Sequence, residues 1–219
     1  MNPNVRIDFV SDIACPWCAI GLASLQQALA RTGTAPQVDL HFQPFELNPG
    51  MAPEGEDVGE HLARKYGSTA EQQAQIRDTI RQRGAAVGFD FKPEGRGRVV
   101  NTFNAHRLLH WAGLQSAQAQ LALKQALMQA YQGRGERVDH DDVLLATVRA
   151  AGLDEAAARD VLQGDAYAAE VRADEQRWQQ AGIQSVPAIV INGRHLISGG
   201  QPPEVFEQAL RRAVAGELS

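Results

Sequence analysis

Cys15 and Cys18 stand either side of Pro16 and Trp17, and the 219 residues contain no other cysteine. Two thiols at this spacing suit a redox pair, half of a metal site, a structural crosslink or an accidental packing pair. Proline is favoured at the first position of a helix, where its missing N–H costs nothing, so Pro16 makes Cys15 the expected N-cap. Unpaired backbone N–H groups and the positive end of the helix dipole there favour thiolate over thiol, making Cys15 the expected nucleophile. Cys18 lies one turn on, in a stripe with Leu22, Leu25 and Leu29, and is the expected buried resolving thiol.

A metal site would need two more ligands, and these would have to be histidines, of which His106 and His110 are four apart in a helical stretch. The interval from Cys18 to His106 is far longer than a zinc finger's, and Pro16 stiffens the turn a chelate loop would use. The redox reading is favoured, and no metal is expected. A net charge of −5 leaves no basic surplus for a nucleic-acid backbone. No apolar run approaches the roughly 18 residues of a membrane span, and no basic segment leads into an apolar stretch of signal-peptide length. A cytoplasmic location is therefore expected, where thiols stay reduced and a structural crosslink is disfavoured.

The motif needs elements to position it. Val5 to Val10 alternates apolar and polar residues like a strand with one solvent face, and Val38 to Phe42 does the same. The helix begun at Pro16 should end near Gly33. Pro44, Pro49, Gly50, Pro53 and Gly55 then mark a linker. Helical periodicity follows at Val58–Tyr66, Ala70–Ala86, Thr102–Ala112, Ala117–Tyr131, His140–Ala151, Glu155–Leu162 and Ala166–Ala181. Ala188–Ile191, the turn signal Asn192-Gly193 and His195–Ser198 predict a hairpin, with a closing helix from Pro203. This order predicts an α/β fold in which two terminal segments complete one mixed sheet around a large all-helical insertion.

A specific resemblance rests on four segments: Ser11–Cys18 (S-D-I-A-C-P-W-C), Pro44–Pro49 (P-F-E-L-N-P), Asn101–Leu108 (N-T-F-N-A-H-R-L) and Ile197–Pro202 (I-S-G-G-Q-P). With Ser185-Val186-Pro187 before the hairpin, the chain resembles the thioredoxin fold with helical insertion of the DsbA family, and within it the FrnE-like branch. The resemblance runs from about Val5 to about Leu210. It implies a thioredoxin-like domain from residues 1–50 and 182–219, flanked by a helix over 166–181, with an insertion domain over 51–165. It also implies a thiol–disulfide oxidoreductase with Cys15 and Cys18 catalytic, and Trp17, Val186 and Pro187 binding substrate. The Val186–Pro187 bond would be cis and face the cysteines, and Pro16, Phe45 and His106 would support the site.

The implied partners are a disulfide-containing protein or peptide and, with no second cysteine pair in the chain, an external reductant such as glutathione or a dithiol protein. No further cofactor is expected, and the chain is expected to be a monomer or homodimer. The related hydroxychromene-carboxylate isomerases share the insertion but usually carry serine at the first motif position, so a glutathione-dependent isomerase is the alternative. A non-catalytic, chaperone-like binding module is the third reading. His106 and His110 fall off the apolar stripe of their helix, with Phe103, toward a groove or solvent. Asp12 and Glu46 are expected to be solvated or capping carboxylates, and Asp8 is given no role.

Strongly oxidising members of the family carry histidine between the cysteines, whose charge helps to hold the thiolate; the indole of Trp17 brings bulk but no full charge. A redox titration of the pair in glutathione buffers should return a potential well below the strongly oxidising value of about −120 mV. A value at that oxidising end would overturn this reading of Trp17.

Overall fold

A computed structural model describes residues 5–218. A four-stranded mixed sheet is built from β1 (Val5–Ser11), β2 (Val38–Pro44), β5 (Ala188–Ile191) and β6 (His195–Ser198), in the spatial order β2-β1-β5-β6. β1 runs parallel to β2, with Phe9 opposite Phe42, and antiparallel to β5, with Phe9 opposite Ile189. β5 and β6 form the terminal hairpin. Its turn residues Asn192 and Gly193 have φ of 51° and 68°, the paired positive values that a type I′ turn requires.

One face of the sheet is covered by α1 (Pro16–Thr32) and α9 (Pro203–Val214). Leu22, Leu25, Phe206 and Leu210 pack there against Ile7, Phe9, Ile189 and Ile191. The opposite face is covered too. Val10 and Ala188 pack with Phe45, Ile183 and Trp178, the last from α8 (Ala168–Gln180). The solvent face expected for β1 is thus absent beyond Arg6: Asp8 is buried, taking Arg6 Nε and Nη2 at 2.9 and 2.8 Å and Gln43 Nε2 at 2.7 Å. A carboxylate can occupy that face because three donors replace its water.

Between β2 and β5 lies a helical segment comprising α2 (Val58–Tyr66), α3 (Ala70–Ala86), α4 (Phe103–Gln115), α5 (Ala117–Met128), α6 (Asp141–Ala150) and α7 (Glu155–Gln163), followed by α8. The linker also holds a two-residue strand, β3 (Glu56–Asp57), paired with β4 (Arg98–Val99), too short to leave a periodicity. The helix expected to reach Tyr131 instead changes to a π-turn over Gln129–Gly133. That wider turn lets Tyr131 Oη donate to Arg98 O at 2.8 Å and Gln132 Nε2 donate to Ile13 O at 2.8 Å. Apolar packing runs without a break from Ile13, Cys18 and Ala19 into Leu108, Leu123, Leu127 and Leu144.

At the β2 edge of the sheet one helix side chain bonds the backbone of the strand itself. Gln120 of α5 accepts from Phe42 N at 3.0 Å and donates to Phe42 O at 3.2 Å and Leu109 O at 3.2 Å. Its amide pairs with a strand residue as a neighbouring strand's peptide would. Replacing Gln120 with Leu strands the buried N–H and C=O of Phe42, which should cost about 2–4 kcal/mol. Urea unfolding should show this as a lower midpoint at unchanged slope; a loss under about 1 kcal/mol would show that the clamp is dispensable.

Candidate active site

The strand-to-helix junction sets the cysteines. Cys15 is the N-cap of α1, with extended backbone (φ −93°, ψ 113°), and Pro16 occupies the first turn. Cys15 N donates to Asp12 O at 3.2 Å, and Cys18 N to Cys15 O at 3.1 Å. Both cysteines are free thiols, Cys15 4% exposed and Cys18 wholly buried. A hydrogen bond from the Cys18 thiol, with the amides of Cys18 and Trp17, holds the Cys15 thiol below its ordinary value against burial and the charge of Asp12. Burial, then the hydrogen bond and charge of Cys15, push the Cys18 thiol well above it.

Opposite the helix tip is the segment before β5. The Val186–Pro187 peptide is cis, and Cys15 Sγ donates to Val186 O at 3.3 Å. Val186 is partly buried and packs on the cluster containing Phe45, so Phe45 lies beneath that segment as core. Trp17 is half-buried, with the Arg83 guanidinium 5.9 Å from its ring centroid, while Arg83 Nη2 donates to Gly200 O at 3.0 Å. A β-carbon at Gly200 would stand 2.8 Å from Trp17 O, so glycine there lets the loop after β6 close on the first turn of α1.

Asp12 is not a solvated carboxylate. It is fully buried, accepting from Ala14 N at 3.0 Å, Leu47 N at 2.7 Å and Thr102 Oγ1 at 2.7 Å. Burial alone would raise its pKa; His106 and the amides of Leu47 and Ala14 outweigh this and lower it. His106, expected off the apolar stripe toward a groove or solvent, is not at solvent: it is 2% exposed, with Nε2 3.4 Å from Asp12 Oδ1. Ala105 to Leu109 are all buried because α4 is enclosed on every side at this level, so its stripe does not mark an outer face. His110 instead stacks on Tyr167 at 5.3 Å, its Nδ1 3.8 Å from Asp174. Among the described residues no three His, Cys, Asp or Glu side chains gather as a metal site would require. Glu46 is also buried, paired with Arg172, which binds Glu175 at 2.8 Å.

Lys124 of α5, which no sequence motif marks, is wholly buried behind the cysteines; among the described residues its Nζ has no hydrogen-bond partner, and it lies 5.9 Å from the Phe42 ring centroid. Burial lowers its pKa from the ordinary 10.5 to about 8, against the opposing charges of Cys18, Asp12 and Cys15. A signal was present: Gln120, Leu123, Lys124, Leu127 and Met128 share one buried face at helical spacing, so Lys124 occupies a core position. Lys124 and His106 also line a cavity of about 180 Å3 that reaches His41, His110 and Asp174.

A family model for the DSBA-like thioredoxin domain matches residues 6–211. The chain belongs to that family. It is similar to the crystal structure of probable DsbA oxidoreductase SCO1869 from Streptomyces coelicolor, at 37% identity and TM-score 0.89 over 98% of this chain and 92% of that one. The uncharacterized protein YwbO of Bacillus subtilis (strain 168) is 24% identical over 94% of this chain and 96% of its own. Cytosolic disulfide reductase DsbM from Pseudomonas aeruginosa, solved with GSH, shares the fold at 16% identity and TM-score 0.66, covering 96% of this chain and 99% of that one. A 2-hydroxychromene-2-carboxylate isomerase does so at 14% and 0.67, covering 98% and 99%. The chain thus has the thioredoxin-like fold of DsbA oxidoreductases with its helical insertion. No helix among the described residues is long and apolar enough to cross a membrane.

The buried ammonium of Lys124 sets a pH dependence. Below pH 8 it is charged in both states and carries the full burial penalty. Between about 8 and 10.5 the unfolded chain holds the proton that the fold has released, so stability rises with pH across that window. Lys124→Met should therefore be more stable than wild type at pH 7 by up to about 3 kcal/mol, the advantage shrinking toward pH 10.5. Denaturant midpoints across this range check it; no gain at neutral pH would overturn the account.

Proposed function

We propose that the chain is a thiol–disulfide oxidoreductase acting through Cys15 and Cys18. The supporting observation is the unequal pair itself: Cys15 at a helix N-cap with its thiol held low, beside the Val186 carbonyl, and Cys18 wholly buried with its thiol pushed up. In the reductive direction the Cys15 thiolate attacks one sulfur of a substrate disulfide, forming a mixed disulfide and expelling the other sulfur as a thiolate. Cys18 then loses its proton and attacks the Cys15 sulfur, closing the Cys15–Cys18 disulfide and releasing the second substrate thiolate. Two electrons have passed to the substrate. Glutathione or a separate dithiol protein returns them, and running the same steps backward oxidises a dithiol.

In this reading Val186 and Pro187 align an extended substrate against Cys15 by backbone pairing. Trp17 forms the lip of the site, with Pro16, Phe45 and His106 supporting it from below. In this reading the protein works in the cytoplasm and takes peptide or protein disulfides, and the four sequence segments support membership of the FrnE-like branch. The fold shared with DsbM, solved with GSH, favours glutathione as a co-substrate. The fold shared with the isomerase supports a second reading, in which one thiol and glutathione act on a small organic substrate.

Insulin reduction by wild type, Cys15→Ser and Cys18→Ser in glutathione buffer separates these readings. Cys15→Ser should fall to background, and Cys18→Ser should accumulate a mixed disulfide that mass spectrometry detects at Cys15. Reduction surviving Cys15→Ser would sink the dithiol mechanism. Glutathione-dependent turnover of a small molecule by Cys18→Ser would favour the isomerase, and protein binding indifferent to both cysteines would favour a chaperone-like module.

A further inference from the structure

Beside the cysteine helix lies an open cleft of about 100 Å3 whose near end is Pro16, the residue after Cys15. Its floor is apolar: Val58 and Leu62 of α2, Ile76 and Ile80 of α3, and Phe91. Ile76 is 51% exposed, a large aliphatic side chain left to water in a cleft that ends at Pro16. The α3 contribution is continuous, because Gln73, Ile76, Arg77, Ile80 and Arg81 recur at i, i+3, i+4, i+7 and i+8 and so share one helix face. That face turns toward the cleft.

The rim has the opposite charge to the chain as a whole. Arg77, Arg81, Lys92 and Arg96 line the cleft with Glu94 as the sole acid, in a protein of net charge −5. Arg81 reaches Asp78 only at 3.8 Å. Among the described residues Arg77, Lys92 and Arg96 have no carboxylate within 4 Å, although most arginines elsewhere on this chain are paired. Arg96 stands 5.5 Å over the Tyr131 ring, with its Nε buried and lacking an acceptor. Four cations around an apolar floor, Arg77 and Lys92 among them with no carboxylate of their own among the described residues, fit a ligand bringing an apolar group and carboxylates together.

We propose that this cleft receives the segment flanking the reacting disulfide of a peptide substrate, with one apolar side chain on the floor and acidic neighbours against the Arg77, Arg81, Lys92 and Arg96 rim. This rests on the oxidoreductase reading and adds to it a substrate class: disulfides embedded in acidic, apolar sequence. The selection is made by the helical segment, outside the thiol pair and the Val186–Pro187 strand.

Two cysteine-free fluorescein peptides test it, one with a leucine between glutamates and one with the same leucine between lysines. Anisotropy titrations should show the acidic peptide binding at least about tenfold more tightly, the scale of two or three surface ion pairs, with the margin shrinking as salt rises. Arg77→Glu with Arg81→Glu, both on exposed positions, should abolish or invert the preference while the far-ultraviolet spectrum stays unchanged. Disulfide-linked versions of the peptides should differ in the same order in kcat/KM. Equal affinities, or tighter binding of the basic peptide, would overturn the proposal. If neither disulfide peptide is turned over while the binding preference holds, the oxidoreductase reading fails and the acidic-peptide cleft stands; turnover of both with no preference sinks the cleft alone.

Discussion

Asp12 is a carboxylate that never meets water, and the site depends on the three parts of the chain it ties together. Its oxygens take the amide of Ala14 just before the cysteines, the amide of Leu47 just after β2, and the hydroxyl of Thr102 at the start of α4. A buried anion is tolerable only while such donors surround it, so each bond holds the others in place. Because the backbone carbonyl of Asp12 also accepts from Cys15 N, Cys15 is registered against the sheet and the helices by the same residue.

The interior behind the cysteines holds more ionisable side chains than a core usually does. Lys124, Asp12 and His106 are all buried within the same apolar cluster or at its border, and Glu46 with Glu175 shares the half-exposed Arg172 nearby. Hydrophobic replacements would pack at lower cost. What Lys124 and Asp12 supply is a field across two sulfurs: Lys124 favours the Cys18 thiolate, while Asp12 disfavours the Cys15 thiolate.

Local rules made much of this readable in the residue order. Proline after Cys15 and glycine at 33 bound α1, and Asn192-Gly193 bounds the hairpin, because caps and turns depend on a few adjacent residues. Features decided by which element comes to lie opposite were not readable. Asp8 alternates correctly for a strand, yet the helix closing over its face comes some 160 residues later. Gln120 and Lys124 are ordinary helix residues until β2 and the cysteine turn are brought against them, at separations of about 80 and 100 residues. Periodicity left His106 off the apolar stripe, toward a groove or solvent, and could not choose between them because α4 lacks a solvent face at that level.

The Gln120 clamp divides the two margins of the sheet into unlike kinds. Along β2 the outward peptide groups of Phe42 are already satisfied by an amide side chain from within the molecule, so that margin has no vacancy to offer an incoming chain at this point. The other margin is β6, four residues long, with Leu196 52% exposed and alternate positions open to solvent. Strand addition from outside, whether by a second copy or by an aggregating segment, therefore meets a β2 margin already occupied at Phe42 and, at β6, an open margin that is short.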